Sequence, residues 1–111
     1  MLAGELYRPD DPELVADRRR CKRLLVALRT EPDDDVQRKL LAELLGEFGE
    51  GAHVVAPFAC DYGYNIRLGA GAFVNAGAVF LDCAAITVGE RAQVGPAVQL
   101  LAADHPLDAE I

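Results

Sequence analysis

A six-residue step between Leu68 and Leu100 constrains this chain more than any other feature. Leu68, Val74 and Phe80 are spaced by six, and Val88, Val94 and Leu100 repeat the step after an offset of two extra residues. Small residues flank these positions: Gly69, Gly71, Gly77, Gly89 and Gly95, with Ala70, Ala72, Ala76 and Ala92 between. An amphipathic helix repeats about every 3.6 residues and a half-buried strand about every second residue, so neither produces this pattern. A parallel β-helix does: each hexad is a short strand, a turn and one bulky residue aimed into a narrow core. Neighbouring coils complete that core for one another. The alternative is a meander of short strands joined by glycine turns.

A chain of 111 residues holds one compact domain or two small pieces. Its hydrophobic share of 51% supports a core, which is largely aliphatic because Trp is absent and aromatic residues are few. The net charge of −7 speaks against nucleic-acid binding, which needs a basic face. Cys21, Cys60 and Cys83 form an odd set without Cys-x-x-Cys spacing. They predict no disulfide framework and a reducing compartment. The opening residues lack a basic, then apolar, leader pattern, and no stretch is long enough to span a bilayer. The expected location is cytoplasmic, without a membrane partner.

Residues 1–12 read as an irregular lead. Asp11 is a good N-cap and Pro12 suits the first helical position, so a helix is expected from about Pro12 to Arg29. Leu14, Leu24, Leu25 and Leu28 supply its apolar side. The run Arg18-Arg19-Arg20, with Lys22 and Arg23, reads as a solvated face. Pro32 breaks the pattern. A second helix is expected from Asp33 or Asp34 to Phe48, ended by Gly49-Glu50-Gly51. Such a hairpin cannot bury both apolar faces alone and must pack on the β-helix. The first strand is expected at His53–Phe58, Asp61–Asn65 reads as a polar turn, and Ala102–Asp108 as a loop. The chain thus divides into a helical segment, residues 1–52, and the first coils of the β-helix, residues 53–111.

The opening Met1–Tyr7 with Asp11-Pro12-Glu13-Leu14 resembles the maltose and galactoside O-acetyltransferase family of hexapeptide-repeat acyltransferases, nodulation acetyltransferases included. So do Asp61–Ile66, the stretch from Val74-Asn75 to Leu81-Asp82, and His105-Pro106-Leu107-Asp108. The resemblance implies a mainly β fold, a left-handed parallel β-helix with an N-terminal helical hairpin, assembled as a homotrimer. It implies transfer of an acetyl group from acetyl-CoA to a sugar hydroxyl. Family members continue for further hexads that carry most of the acetyl-CoA site, which is therefore expected to lie beyond Ile111. Galactoside-type members tend to carry an acid at Cys83 and Tyr at Phe73, so a maltose- or glucose-type acceptor is expected.

By the same resemblance, His105 matches the family's catalytic histidine. Acyl transfer to an alcohol needs a base, and imidazole titrates in the right range. Asn75 has two readings: a small polar side chain turning a β-helix corner, or an amide donor to the developing oxyanion. Asp61 and Asp82 can accept hydrogen bonds from sugar hydroxyls. Arg18 matches a basic residue that reaches the acceptor in the family, although it also fits a solvated helix face. A metal centre is not expected, because His53 and His105 are the only histidines and no acid or Cys stands at ligand spacing. No Gly-x-x-x-x-Gly-Lys phosphate loop is present.

Two functions remain open on the sequence. One is an acetyl-CoA-dependent sugar O-acetyltransferase with His105 as general base. The other is a shortened, inactive hexapeptide trimer with a structural or interaction role.

Overall fold

The computed structural model describes residues 11–102. Helix α1 (Pro12–Thr30) opens as its capping residues dictate: the Asp11 carboxylate accepts the Glu13 N–H at 2.8 Å, and Pro12 occupies the first turn. Helix α2 (Asp34–Leu44) is capped by Asp33, which accepts the Val36 N–H. It stops at Leu44, earlier than the expected Phe48. Glu47–Phe48 form strand β1 instead, because Phe48 aligns with Leu68 in a parallel ladder. Tertiary pairing overrides local helical spacing here, and the ladder begins ahead of His53.

Eight further strands follow: β2 (His53–Val54), β3 (Phe58–Cys60), β4 (Ile66–Leu68), β5 (Phe73–Val74), β6 (Ala78–Leu81), β7 (Ile86–Val88), β8 (Gln93–Val94) and β9 (Gln99–Leu101). They form three parallel sheets in the orders β1-β4-β7, β2-β5-β8 and β3-β6-β9. Each sheet is one wall of a three-sided coil. Glu47 aligns with Arg67 and Arg67 with Thr87, so one coil takes twenty residues. The architecture is the expected left-handed parallel β-helix with an N-terminal helical hairpin.

Registry between coils builds the core in columns. Phe48, Leu68 and Val88 stack, as do Val54, Val74 and Val94, and Cys60, Phe80 and Leu100. All six residues expected to point inward are buried. The residue two positions earlier also packs on the core: Ile66, Ala72, Ala78 and Ile86 are buried, and Ala92 and Val98 partly so. Strand alternation explains the pair, since residues i and i+2 share a face. A fully buried Leu or Phe contributes roughly 1.5–3 kcal/mol, so the columns dominate the stability of the coils.

Three hexads need eighteen residues, and the remaining two lie at one corner. Cys60 to Leu68 and Phe80 to Val88 are both steps of eight. The two bulges stack between the third and first walls. Helix α1 lies across this corner, packing on β3 and α2. Its buried residues Leu14, Cys21 and Leu28 form one stripe, with Leu25 partly buried against it. Arg18 falls on that same stripe. Val36, by contrast, is on the open side of α2.

Candidate functional site

The corner under α1 is built on Asp82. Its side chain is wholly buried, and its carboxylate faces the bulge of the preceding coil. One oxygen, Oδ1, accepts the N–H groups of Asp61 at 3.0 Å and Tyr62 at 2.9 Å. The other, Oδ2, accepts those of Gly63 at 2.8 Å and Asn65 at 3.3 Å. The Asn65 side chain returns a bond from Nδ2 to the Asp82 carbonyl at 2.7 Å. A turn has no ladder to satisfy its N–H groups, so a buried carboxylate substitutes for one. Burial pushes the Asp82 carboxyl upward, and the four N–H groups oppose that shift. Direct binding of a sugar hydroxyl by Asp82, expected from the sequence, is corrected by this geometry. Its oxygens are closed to solvent and occupied, so Asp82 is the support of the turn.

The turn presents Asp61, Tyr62 and Tyr64 to α1. Arg18 Nη1 donates to the Tyr62 hydroxyl at 3.1 Å, and the Tyr64 hydroxyl donates to Asp17 Oδ2 at 2.8 Å. The two tyrosine rings stack at 5.4 Å. Burial and the bond to Asp17 raise the Tyr64 phenol above its ordinary value, so it remains a donor at neutral pH. The arginine run is thus divided: Arg18 turns inward, where the sequence left a solvated face equally open, and Arg19 is exposed.

Arg18 and Asp61 line one open cleft of about 300 Å³ with Val15, Arg19, Lys22 and Cys60. Burial raises the Asp61 carboxyl, while the Arg18 charge pulls it back down. A carboxylate acceptor beside a guanidinium donor, with an aliphatic wall, is suited to a polyol. The guanidinium donates to ring or hydroxyl oxygens and the carboxylate accepts hydroxyl protons. Tyr62 and Tyr64 lie within the Asp61–Ile66 motif, but neither they nor Asp17 were among the candidate site residues of the sequence.

Asn75 stands at a different corner, between the second and third walls. Its Oδ1 accepts the Ala76 N–H at 2.8 Å, and its own N–H joins the ladder to Val94. That bond orients the amide, since an N–H donor must face the oxygen. Asn75 is partly exposed, and its Nδ2 meets no acceptor among the described residues. Corner and donor are therefore compatible roles for the same side chain. The structure brings Arg18 and Asp61 together over Asp82 and leaves Asn75 apart from them. His105 lies outside the described residues.

Among the described residues no three His, Cys, Asp or Glu side chains gather as a metal site, and no helix is long and apolar enough to cross a membrane.

Residues 1–49 match the maltose acetyltransferase hexapeptide capping motif. The chain is 46% identical to nodulation protein L of Rhizobium leguminosarum bv. viciae, over 99% of its own length and 59% of the relative's. It is similar in structure to a hexapeptide-repeat-containing acetyltransferase of Vibrio cholerae O1 biovar eltor solved with acetyl coenzyme A. That match has a TM-score of 0.85 at 35% identity and covers 89% of this chain and 54% of the other. A maltose O-acetyltransferase from Clostridium difficile 630 aligns with a TM-score of 0.84 at 35% identity, over 93% and 56% of the two chains. The chain thus spans somewhat more than half the length of these relatives.

Proposed function

We propose that the chain is part of a hexapeptide-repeat acetyltransferase, to which it is similar along nearly its whole length, and that the protein carries out acetyl-CoA-dependent O-acetylation of a sugar hydroxyl, with a maltose- or glucose-type acceptor. One observation carries the reading. A fold that aligns with an acetyltransferase solved with acetyl coenzyme A also holds a guanidinium–carboxylate cleft fitted to hydroxyl groups.

Acetyl-CoA supplies an activated thioester. Arg18 and Asp61 orient the acceptor, and the Asp82-supported turn holds Asp61 in place. His105 takes the proton of the reacting hydroxyl as that oxygen attacks the acetyl carbon. Asn75 Nδ2 donates to the carbonyl oxygen as it gains negative charge. His105 then returns the proton to the departing CoA sulfur, so the products are the acetyl ester and CoA thiol.

Assembly as a homotrimer fits the separation of the parts. Asn75 and the Arg18–Asp61 cleft occupy different corners, so a neighbouring subunit can complete with one corner what another begins. A cytoplasmic location fits acetyl-CoA as the acyl donor.

Release of CoA thiol from acetyl-CoA in the presence of maltose, glucose or a galactoside tests this function. In a form extended by the further hexads that carry the acetyl-CoA site, acceptor-dependent release that falls roughly 10²–10⁴-fold in His105→Ala is the expected result. Undiminished turnover by that variant would overturn the mechanism. Light scattering should give a trimer, and a stable monomer would overturn the assembly.

A further inference from the structure

Two thiols meet where α1 crosses the β-helix. Cys21 Sγ lies 3.4 Å from Cys60 Sγ and 3.5 Å from the Cys60 carbonyl oxygen. We propose that Cys21 and Cys60 are a reversible oxidation site, whose disulfide fastens α1 to strand β3.

The geometry is close to that of a bond. The sulfurs must approach by about 1.4 Å to reach a disulfide length of about 2.0 Å. Cys21 is buried on the inward stripe of α1, whereas Cys60 is partly exposed and lines the cleft. A small-molecule disulfide can therefore reach Cys60 and not Cys21. Cys60 loses its proton and attacks one sulfur of the reagent, forming a mixed disulfide with it, and the reagent's other sulfur departs as a first thiol carrying that proton. Cys21 then loses its proton and attacks the Cys60 sulfur of the mixed disulfide, expelling the second reagent thiol. The two protein thiols are oxidised, and the reagent disulfide is reduced to two thiols.

The site is built to respond slowly. The contact with Cys21, then burial and neighbouring negative charge, raise the Cys60 thiol far above its ordinary value. Little thiolate is present at neutral pH, so casual oxidation is disfavoured. Cys83 is held apart, with its thiol toward the Ala102 carbonyl. In a reducing compartment the pair rests as thiols, and the disulfide marks an oxidising episode.

The bond joins residues 39 apart in sequence and so restricts the unfolded chain. If the acceptor reading of the cleft holds, it also secures the cleft wall. Arg18 is one turn from Cys21, and Asp61 follows Cys60.

The experiment equilibrates the protein for hours in glutathione buffers from fully reduced to fully oxidised, then blocks free thiols and maps the peptides. At the oxidised end Cys83 alone should take the blocking reagent, with Cys21 and Cys60 recovered as one linked peptide. The Tm should rise by about 5–15 °C and fall back on adding dithiothreitol. Cys83→Ser should keep the rise and Cys60→Ser should lose it. All three thiols still blocked at the oxidised end would overturn the proposal. So would a link to Cys83 or to a second chain, or a Cys21–Cys60 link without a gain in Tm. None of these readouts needs acetyl transfer, so failure here is distinct from failure of the proposed activity.

Discussion

Asp82 and Gly63 sit in adjacent coils, and the Asp82 Oδ2 accepts the Gly63 N–H at 2.8 Å across the gap between them. This contact joins the support of the bulge to its tightest point. It makes the corner beneath α1 a rigid element rather than a loop. Whatever the cleft binds, its position is set by one buried carboxylate.

Replacing Asp82 by Asn keeps the shape but turns an NH2 group toward N–H donors. At least one pair of buried turn N–H groups then loses its acceptor. Asp82→Asn should cost about 2–4 kcal/mol, read as a lowered urea midpoint. A midpoint within experimental error of the parent would contradict the support role.

Gly63 has a φ of +87°, and a Cβ there would lie 2.5 Å from Leu44 Cδ1 and 2.6 Å from the Leu44 carbonyl oxygen. Both the backbone conformation and the contact exclude a side chain. Gly63→Ala should destabilise by about 2–4 kcal/mol through strain and overpacking against the end of α2. Gly89→Ala is the control, since its Cβ would meet nothing within 4 Å. Thermal unfolding of the two variants should separate clearly.

Asn75→Asp distinguishes the corner from the donor. The carboxylate still accepts the Ala76 N–H, so the Tm should change little. In the form extended by the further hexads, the lost NH2 group should lower kcat roughly 10²–10³-fold if Nδ2 serves the developing oxyanion. Equal turnover by parent and variant would leave Asn75 as a corner residue alone.

Arg18 is expected to bind the acceptor and not the reacting atoms. Arg18→Ala should therefore raise the acceptor KM, with a smaller change in kcat and none in the KM for acetyl-CoA. Because Arg18 also bonds Tyr62, Tyr62→Phe measures the structural part of the effect. A Tyr62→Phe enzyme with the same KM change as Arg18→Ala would assign the whole effect to positioning.

Local chemistry determined much of this protein. Asp11-Pro12 and Asp33 start two helices because capping depends on residues within one turn of each other. The hexads specify the inward columns because the period belongs to the chain itself, and Leu68, Val74, Phe80, Val88, Val94 and Leu100 are all buried. The bulge was visible between Phe80 and Val88 as an offset of two residues. Tertiary structure alone decided what that bulge does. Asp82 reads as an exposed acceptor until the coil above it is in place, when it meets four N–H groups at sequence separations from 17 to 21. Arg18 is one of several similar cations until α1 docks and brings it to Tyr62, 44 residues away. Phe48 continues a helical pattern until Leu68 offers it a ladder. The pairing of Cys21 with Cys60 has no sequence signal at all. In each case the deciding energy comes from contacts between coils or between helix and coil, and no local spacing encodes which residues those contacts join.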